Sequence, residues 1–184
     1  MPQIPCIAVI AALGVAAFWA WRQFSGDKAV ETPDGYRYQG YTIEPQQPYR
    51  MEARVLARKE YRSGRESDLS PLDLALGWGP MARPDVLARI DISQRGRFYW
   101  WRTAEFPIPR RDIETNSANV HIIPATPNVR ERLGDIAPDM NVRLTGQLVH
   151  VQADDGWRWQ SSLTFEDTGR GACELLWLEQ VDIL

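Results

Sequence analysis

The spacing of hydrophobic and polar residues predicts a chain built mainly from strands. Through residues 49–62 apolar and polar side chains alternate, with Met51 and Val55 set against Glu52 and Arg54. A period of two is typical of a strand that has one solvated face. Comparable patterns predict further strands over residues 36–45, 96–106, 118–125, 140–152, 157–165 and 173–183.

Proline and polar residues mark where helices are expected to begin. Ser70 is a good N-cap and Pro71 suits the first helical position, so these residues predict a helix over residues 70–77. Further short helices are predicted from Pro84 and over residues 127–133.

The last third of the chain is predicted to be a meander of strands. Asp155 and Gly156 form a strong hairpin signal between two of them, and Gly146 permits a bend in a long strand. The predicted fold class is α+β, mostly β. We expect a small β-barrel-like (OB-like) or mixed-β domain with short helices, preceded by one N-terminal transmembrane helix.

The N-terminus is predicted to be a membrane anchor. Residues 1–21 contain no charged side chain, and the apolar run 4–21 would span about 27 Å as a helix. The predicted organisation is an anchor over residues 1–24 in contact with the lipid bilayer through residues 4–21, a linker over 25–35 and one globular domain over 36–184.

Three alternatives to the anchor are a cleaved signal peptide, a lipoprotein signal at Cys6 and a buried core helix. The segment lacks a basic leading region, Pro5 precedes Cys6, and the run is apolar on every face. The predicted location is therefore the bacterial cytoplasmic (inner) membrane. By analogy with short signal anchors we place the domain on the periplasmic side, although Arg22 and Lys28 would favour the cytoplasm.

Composition narrows the classes of chemistry. A formal charge of −3 gives no global basic field, so nucleic-acid binding would need a local patch. No phosphate loop, nucleotide fingerprint or serine-hydrolase motif is present, and the sequence predicts no cofactor. His121, His150 and Cys173 have no metal-ligand spacing, so no metal site is predicted, and each histidine is interpreted as a strand residue with a hydrogen-bonded ring.

Asp167, Thr168 and Gly169 match the signature of aspartic proteases. That chemistry needs two carboxylates sharing a proton, and the residues flanking this motif, Glu166 and Arg170, differ from the family pattern. We interpret the motif as a turn between the last two strands.

Cys173 and His121 are the candidate catalytic pair, in an order that is similar to that of sortase transpeptidases, which are also membrane-anchored. Those enzymes need an arginine shortly after the cysteine, and residues 174–184 contain none. We therefore interpret Cys173 as a structural residue packed beside Leu175 and Trp177.

The aromatic and basic segment 95–102 is the candidate binding surface, through Arg97, Tyr99, Trp100 and Trp101. Such side chains stack on bases or sugars, or lie at a lipid headgroup layer. Strand alternation places Phe98, Trp100 and Arg102 on one face and Arg97, Tyr99 and Trp101 on the other, so at least one face belongs to the core.

Three segments carry a resemblance to other proteins: RESDLSPLDLALGWG, NSANVHIIPA and GWRWQSSLTFEDTGRGACELLWLEQV. Over most of residues 45–181 the chain resembles a group of uncharacterised bacterial proteins that have a short N-terminal hydrophobic segment and one compact domain. The resemblance implies a bacterial envelope protein and carries over no functional residue.

The functional hypothesis is a membrane-anchored, non-catalytic domain that binds a protein or another component of the bacterial envelope. One alternative is a cysteine- and histidine-dependent acyl-transfer or hydrolytic enzyme. The other is an OB-like nucleic-acid binder that uses Arg97, Trp100 and Trp101.

Overall fold

The computed structural model describes residues 28–164 and 173–184, and most of them lie in strands. The α+β, mostly β prediction is confirmed. The strands are β1 (Val30–Thr32), β2 (Gly35–Tyr38), β3 (Tyr41–Glu60), β4 (Leu72–Gly77), β5 (Asp91–Arg95), β6 (Phe98–Arg102), β7 (Ser117–Pro124), β8 (Asn141–Ala153), β9 (Arg158–Gln160) and β10 (Glu174–Ile183).

The helices are short and lie between the strands. They are α1 (Arg65–Leu69), a 3-10 helix (Gly79–Ala82), α2 (Pro84–Leu87), α3 (Arg110–Thr115) and α4 (Pro127–Leu133). None of the helices within residues 28–164 and 173–184 has the length and apolar character of a membrane span. The predicted anchor and the turn at Asp167–Gly169 lie outside the described residues, and β1 starts within the segment predicted as a linker.

Five strands of the large sheet pair in a cycle. β3 pairs with β4, β4 with β7, β7 with β10, β10 with β8, and β8 again with β3. All of these pairs are antiparallel except β7 with β10, which is parallel. The strands β1, β2 and β9 extend the sheet outside this cycle.

Strand β3 joins the second half of the first predicted strand to most of the second predicted strand. The structure has one 20-residue strand where the sequence predicted two, and it continues through Pro45 and Pro48 with a register shift between Pro45 and Gln47. The first predicted strand instead divides at Gln39 and Gly40, which both have positive φ and turn β2 into β3. Pro45 is tolerated in β3 because the ladder with β8 is interrupted directly after it.

The predicted helix over residues 70–77 is wrong. Leu72–Gly77 form β4 instead, which lies between β3 and β7 and is buried along its whole length. Leu72, Leu74 and Leu76 point into the central core, and Asp73 and Ala75 point to the other side of the sheet. Pairing on both edges outweighs the local helix-start signal at Ser70 and Pro71, and the actual helix, α1, ends before it.

The central core lies inside the strand cycle. Its members come from all five strands and from α4, whose Val129 and Leu133 cover one end, as the sequence predicted. Gly146 lies between the core residues Leu144 and Leu148 of β8, and a Cβ at this position would clash with the carbonyl oxygen of Trp177. The glycine therefore allows the close approach of β8 to β10 beside the register shift after Leu178.

Outside the cycle, β5 and β6 form a separate two-stranded hairpin. The sequence predicted β6 but not β5. Gly96 and Arg97 form the turn, and both have positive φ, at 62° and 69°. Besides the central core, buried residues form a second cluster around Ile43 and Trp177 and a third cluster around Ile90 and Ile113. The hairpin packs Ile92 and Trp101 onto the third cluster.

The remaining predicted elements are present. A helix begins at Pro84 with Val86 and Ile90 buried, β7 and β10 lie where alternation predicted them, and the turn at Gly156 joins β8 to β9.

Candidate functional site: a buried polar cluster beneath an aromatic hairpin

Asp73 is the centre of a polar cluster on the outer side of the strand cycle. Its side chain is 0% exposed, and its Oδ1 lies 2.8 Å from Nη1 of Arg97 and 2.9 Å from Nδ1 of His121. Register explains the second contact, because Asp73 in β4 lies directly opposite His121 in β7. A buried carboxylate is tolerated only with such partners, so the three side chains form one unit.

Arg97 reaches this cluster from the turn of the β5–β6 hairpin. Its Nη1 also donates to the carbonyl oxygen of Ser70 at 2.8 Å, and its guanidinium lies 3.8 Å from the ring centroid of Tyr61. A left-handed backbone is unfavourable for arginine. The contacts of this side chain with Asp73, Ser70 and Tyr61 offset that cost and fix the hairpin tip on the sheet.

Asn119 connects the hairpin to the sheet from below. Its Nδ2 donates to the carbonyl oxygen of Arg97 at 3.1 Å, and its Oδ1 accepts a hydrogen bond from Nε2 of Gln94 at 2.8 Å. The ring of Trp159 lies 5.0 Å from the ring of His121, measured between centroids. The cluster is thus closed on one side by the hairpin and on the other by an aromatic ring of β9.

Cys173 lies at the edge of the same cluster. It precedes Glu174, which pairs with Val120, so Cys173 lies beside Asn119, and its Sγ is 3.9 Å from the carbonyl oxygen of Arg97. Burial, followed by the negative charges of Glu174 and Asp73, raises the pKa of the thiol to about 11. A nucleophilic cysteine needs the opposite, a lowered pKa.

The candidate pair Cys173 and His121 is brought into one cluster but not into contact. Nδ1 of His121 is bonded to Asp73, and the hydrogen bonds of the described residues include none between His121 and the thiol. The arrangement orients the histidine through an aspartate, as catalytic triads do, yet it keeps the thiol in its protonated form.

The four predicted binding residues point in two directions. Arg97 enters the cluster, Trp101 packs on the third cluster, and the hydroxyl of Tyr99 hydrogen-bonds Ser117. Burial raises the pKa of Tyr99 to about 12. Trp100 alone points outward, and it is 54% exposed.

The outer face of the hairpin is the second notable feature, and we call it the aromatic face. It comprises Asp91, Ser93, Arg95, Phe98, Trp100 and Arg102, all of them exposed. Phe98 is 39% exposed, and its ring centroid lies 6.3 Å from that of Trp100. The nearby Arg89 and Arg97 form ion pairs with Glu105 and Asp73. In the part of the chain that the structure describes, no ion pair involves Arg95 or Arg102.

Sequence reasoning missed Asp73 and Asn119 as site residues. Asp73 was assigned to a helix start, although an acidic residue between leucines in LDLALG signals a buried carboxylate that needs a partner. Phe98 was assigned to the correct face but not to the binding surface. Its alternation with Trp100 was sufficient to identify it.

The second histidine has a different environment. His150 lines an open cavity of about 130 Å³ with Glu44, Gln152, Arg158 and Gln160. Among the described residues, Nδ1 of His150 has no hydrogen-bond partner. The predicted hydrogen-bonded ring is therefore found at His121, whose Nδ1 contacts Asp73, but not at Nδ1 of His150. In the described ranges no group of three or more His, Cys, Asp or Glu side chains is placed to hold a metal ion.

Comparison of the chain with models of protein families and with curated proteins returns no match.

Proposed function

We propose that this chain is a non-catalytic binding domain tethered to the bacterial cytoplasmic membrane, and that it binds a component of the cell envelope through the aromatic face. One observation carries the proposal: Phe98 and Trp100 lie side by side in solvent, flanked by Arg95 and Arg102. Exposed aromatic rings with adjacent arginines are typical of binding surfaces rather than of ordinary protein surface.

The scaffold is inferred to be an OB-type barrel. In the strand cycle the first strand (β3) pairs with the second (β4), the second with the third (β7), the third in parallel with the fifth (β10), and the fourth (β8) closes back onto the first. A five-stranded cycle around one core, with α4 between its third and fourth strands, supports that inference.

OB folds bind ligands on the face of their second and third strands. The corresponding face here belongs to β4 and β7, and it carries Asp73, Asn119 and His121. The hairpin tip covers this face, because Arg97 is bonded to Asp73 and Asn119 is bonded to the backbone of Arg97. The surface left open for a partner is then the outer side of the covering hairpin.

The non-catalytic part of the proposal is supported by the state of the polar cluster. The raised pKa of Cys173 keeps the thiol protonated near neutral pH, and His121 is bonded to Asp73 instead of the thiol. Both properties disfavour the enzyme alternative. The nucleic-acid alternative needs Arg97 and Trp101 on the surface with Trp100, and these two side chains point inward.

Site-specific crosslinking in living cells tests the binding surface. A photoreactive amino acid replaces Ser93, which is exposed on the aromatic face directly opposite Trp100. We expect a crosslinked envelope component, and we expect the double variant Phe98→Ser and Trp100→Ser to abolish the product. The matched control is Phe106→Ser, because Phe106 is also exposed but lies beyond the hairpin. Equal crosslinking in all variants, or none in any, would refute the proposal.

A further inference from the structure

We propose that the partner of the aromatic face is the anionic headgroup layer of the membrane to which the chain is tethered, so that the domain lies against the bilayer. This inference rests on the proposed function and names the partner of the same surface.

The chemistry of the aromatic face fits a headgroup layer. Tryptophan is enriched at the membrane–water interface, and arginine makes charge-assisted hydrogen bonds to phosphate oxygens. Phe98 and Trp100 are two residues apart on one strand, and Arg95 and Arg102 stand at opposite ends of the hairpin face. The result is a short apolar strip with an arginine at each end. The two arginines outnumber the single carboxylate of this face, Asp91 opposite Arg102, so the excess charge is positive and suits an anionic surface.

The hairpin is held rigidly, which keeps this strip facing outward. A two-stranded hairpin alone is marginally stable in water. Here its inner side is fixed by the packing of Trp101, by the hydrogen bond of Gln94 to Asn119 and by the ion pair of Arg97 with Asp73. Ordering the surface on binding therefore costs little.

The tether is short. Only eight residues, 22–29, separate the end of the predicted membrane span at Trp21 from the start of β1 at Val30. Fully extended, they reach about 28 Å at roughly 3.5 Å per residue. The N-terminal strand is thereby confined near the bilayer surface, and docking becomes an intramolecular event with a high effective concentration.

A chain of side-chain contacts connects the N-terminal strands to the hairpin. Arg37 of β2, which lies opposite Val30, pairs with Asp154, the residue next to Asp155. Asp155 pairs with Arg65, whose guanidinium lies 4.8 Å from the ring centroid of Trp157.

The same chain continues to the hairpin tip. The rings of Trp157 and Trp159 are 6.0 Å apart, and the guanidinium of Arg97 lies 5.8 Å from the ring of Trp159. Seven side chains, those of Arg37, Asp154, Asp155, Arg65, Trp157, Trp159 and Arg97, thus connect the N-terminal strands to the tip of the hairpin that carries the aromatic face.

The test uses the full chain reconstituted into vesicles of phosphatidylcholine with or without phosphatidylglycerol. A spin label is attached at Ser93→Cys in a Cys6→Ser and Cys173→Ser background, so that no other thiol competes for the label. The control label is at Glu131→Cys on α4, which is exposed and distant from the hairpin in sequence. Accessibility to oxygen and to a water-soluble relaxation reagent reports whether each label lies in lipid or water.

We expect the label at position 93 to be shielded from the water-soluble reagent in the anionic vesicles only, with the control label unchanged in both. Each arginine near an anionic surface contributes about five-fold to partitioning, so Arg95→Gln with Arg102→Gln should lower the equilibrium ratio of docked to undocked domain by about 25-fold. Both side chains are exposed, and near-ultraviolet circular dichroism checks that the variant stays folded.

Equal water accessibility at position 93 in both vesicles would overturn the docking inference. If the crosslinker at position 93 still captured an envelope component, the proposed function would stand without the docking inference. If the crosslinker captured nothing, the proposed function and the docking inference would both be refuted. Binding of a single-stranded oligonucleotide that depends on Trp100, in the absence of docking, would replace the membrane with a nucleic acid.

Discussion

Arg97→Met is the substitution that most directly tests the reasoning on the buried cluster. It removes the guanidinium that lies 2.8 Å from Asp73, while keeping the length and apolar stem of the side chain. Asp73 would remain fully buried with His121 as its principal partner. Methionine also keeps the unfavourable positive φ of the turn, so the substitution reports on the charge rather than on the backbone.

Removing one partner of a buried ion pair costs about 3–5 kcal/mol, because an uncompensated charge is left inside the protein. We expect a value near the lower end, about 3 kcal/mol, since His121 remains and the Arg97 side chain is 18% exposed. The lost contact with the ring of Tyr61 is included in that figure. Such a loss is a large part of the about 5–15 kcal/mol that stabilises a typical domain.

The assay is urea unfolding of the full chain in mild detergent, followed by tryptophan fluorescence. Arg95→Met is the matched control, because Arg95 is exposed on the same hairpin, and it should change stability by less than about 0.5 kcal/mol. Adding Asp73→Asn to Arg97→Met removes the carboxylate charge that has lost its arginine, and it should cause little further loss of unfolding free energy. An Arg97→Met effect below about 1 kcal/mol, or additive effects in the double variant, would refute the account of the cluster.

Two further predictions concern Cys173 and Gly146. With its pKa raised from 9.0 to about 11, the thiol should alkylate about 100-fold more slowly at pH 8 than an unperturbed cysteine, in a Cys6→Ser background. The alkylation rate should still increase above pH 9, whereas a plateau of this rate near pH 7 would support the enzyme alternative. The contribution of the protonated thiol to folding stability is complete below pH 9 and should be lost between pH 9 and 11. Gly146→Ala should destabilise the domain by about 1–3 kcal/mol in the same urea assay, because its Cβ meets the Trp177 carbonyl. A Cβ at Gly156 would lie in open space, so Gly156→Ala should lower the unfolding free energy by only about 1 kcal/mol, the cost of its positive φ. Equal losses of stability in the two variants would contradict the packing argument for Gly146.

The elements that sequence reasoning predicted correctly are those whose local signals agree with their tertiary contacts. In α4, Thr126 caps the helix and Pro127 begins it, and its two apolar residues cover the core. In β6, alternation correctly separated the exposed Phe98 and Trp100 from the inward Tyr99 and Trp101. Local geometry and burial favour one structure in each case.

Where local signals and pairing disagree, the sequence prediction fails. Ser70 and Pro71 resemble a helix start, yet β4 is bordered by β3 and β7 and takes its conformation from both. The single strand β3 was divided into two because Pro45 and Pro48 interrupt its pattern, and only a bulge in the ladder with β8 lets the strand continue.

The candidate site shows the same division. The sequence by itself determined the chemistry available: two cysteines, two histidines, an aromatic and arginine-rich strand, and an apolar N-terminal run. Tertiary structure decided how these groups combine: the register of β4 with β7 places Asp73 opposite His121, and the side chain of Arg97 reaches Asp73 from the turn of the separate hairpin. Burial then makes Arg97 a fixed partner of Asp73 and leaves Phe98 and Trp100 in solvent, since a carboxylate removed from water requires a cation, whereas an exposed ring does not.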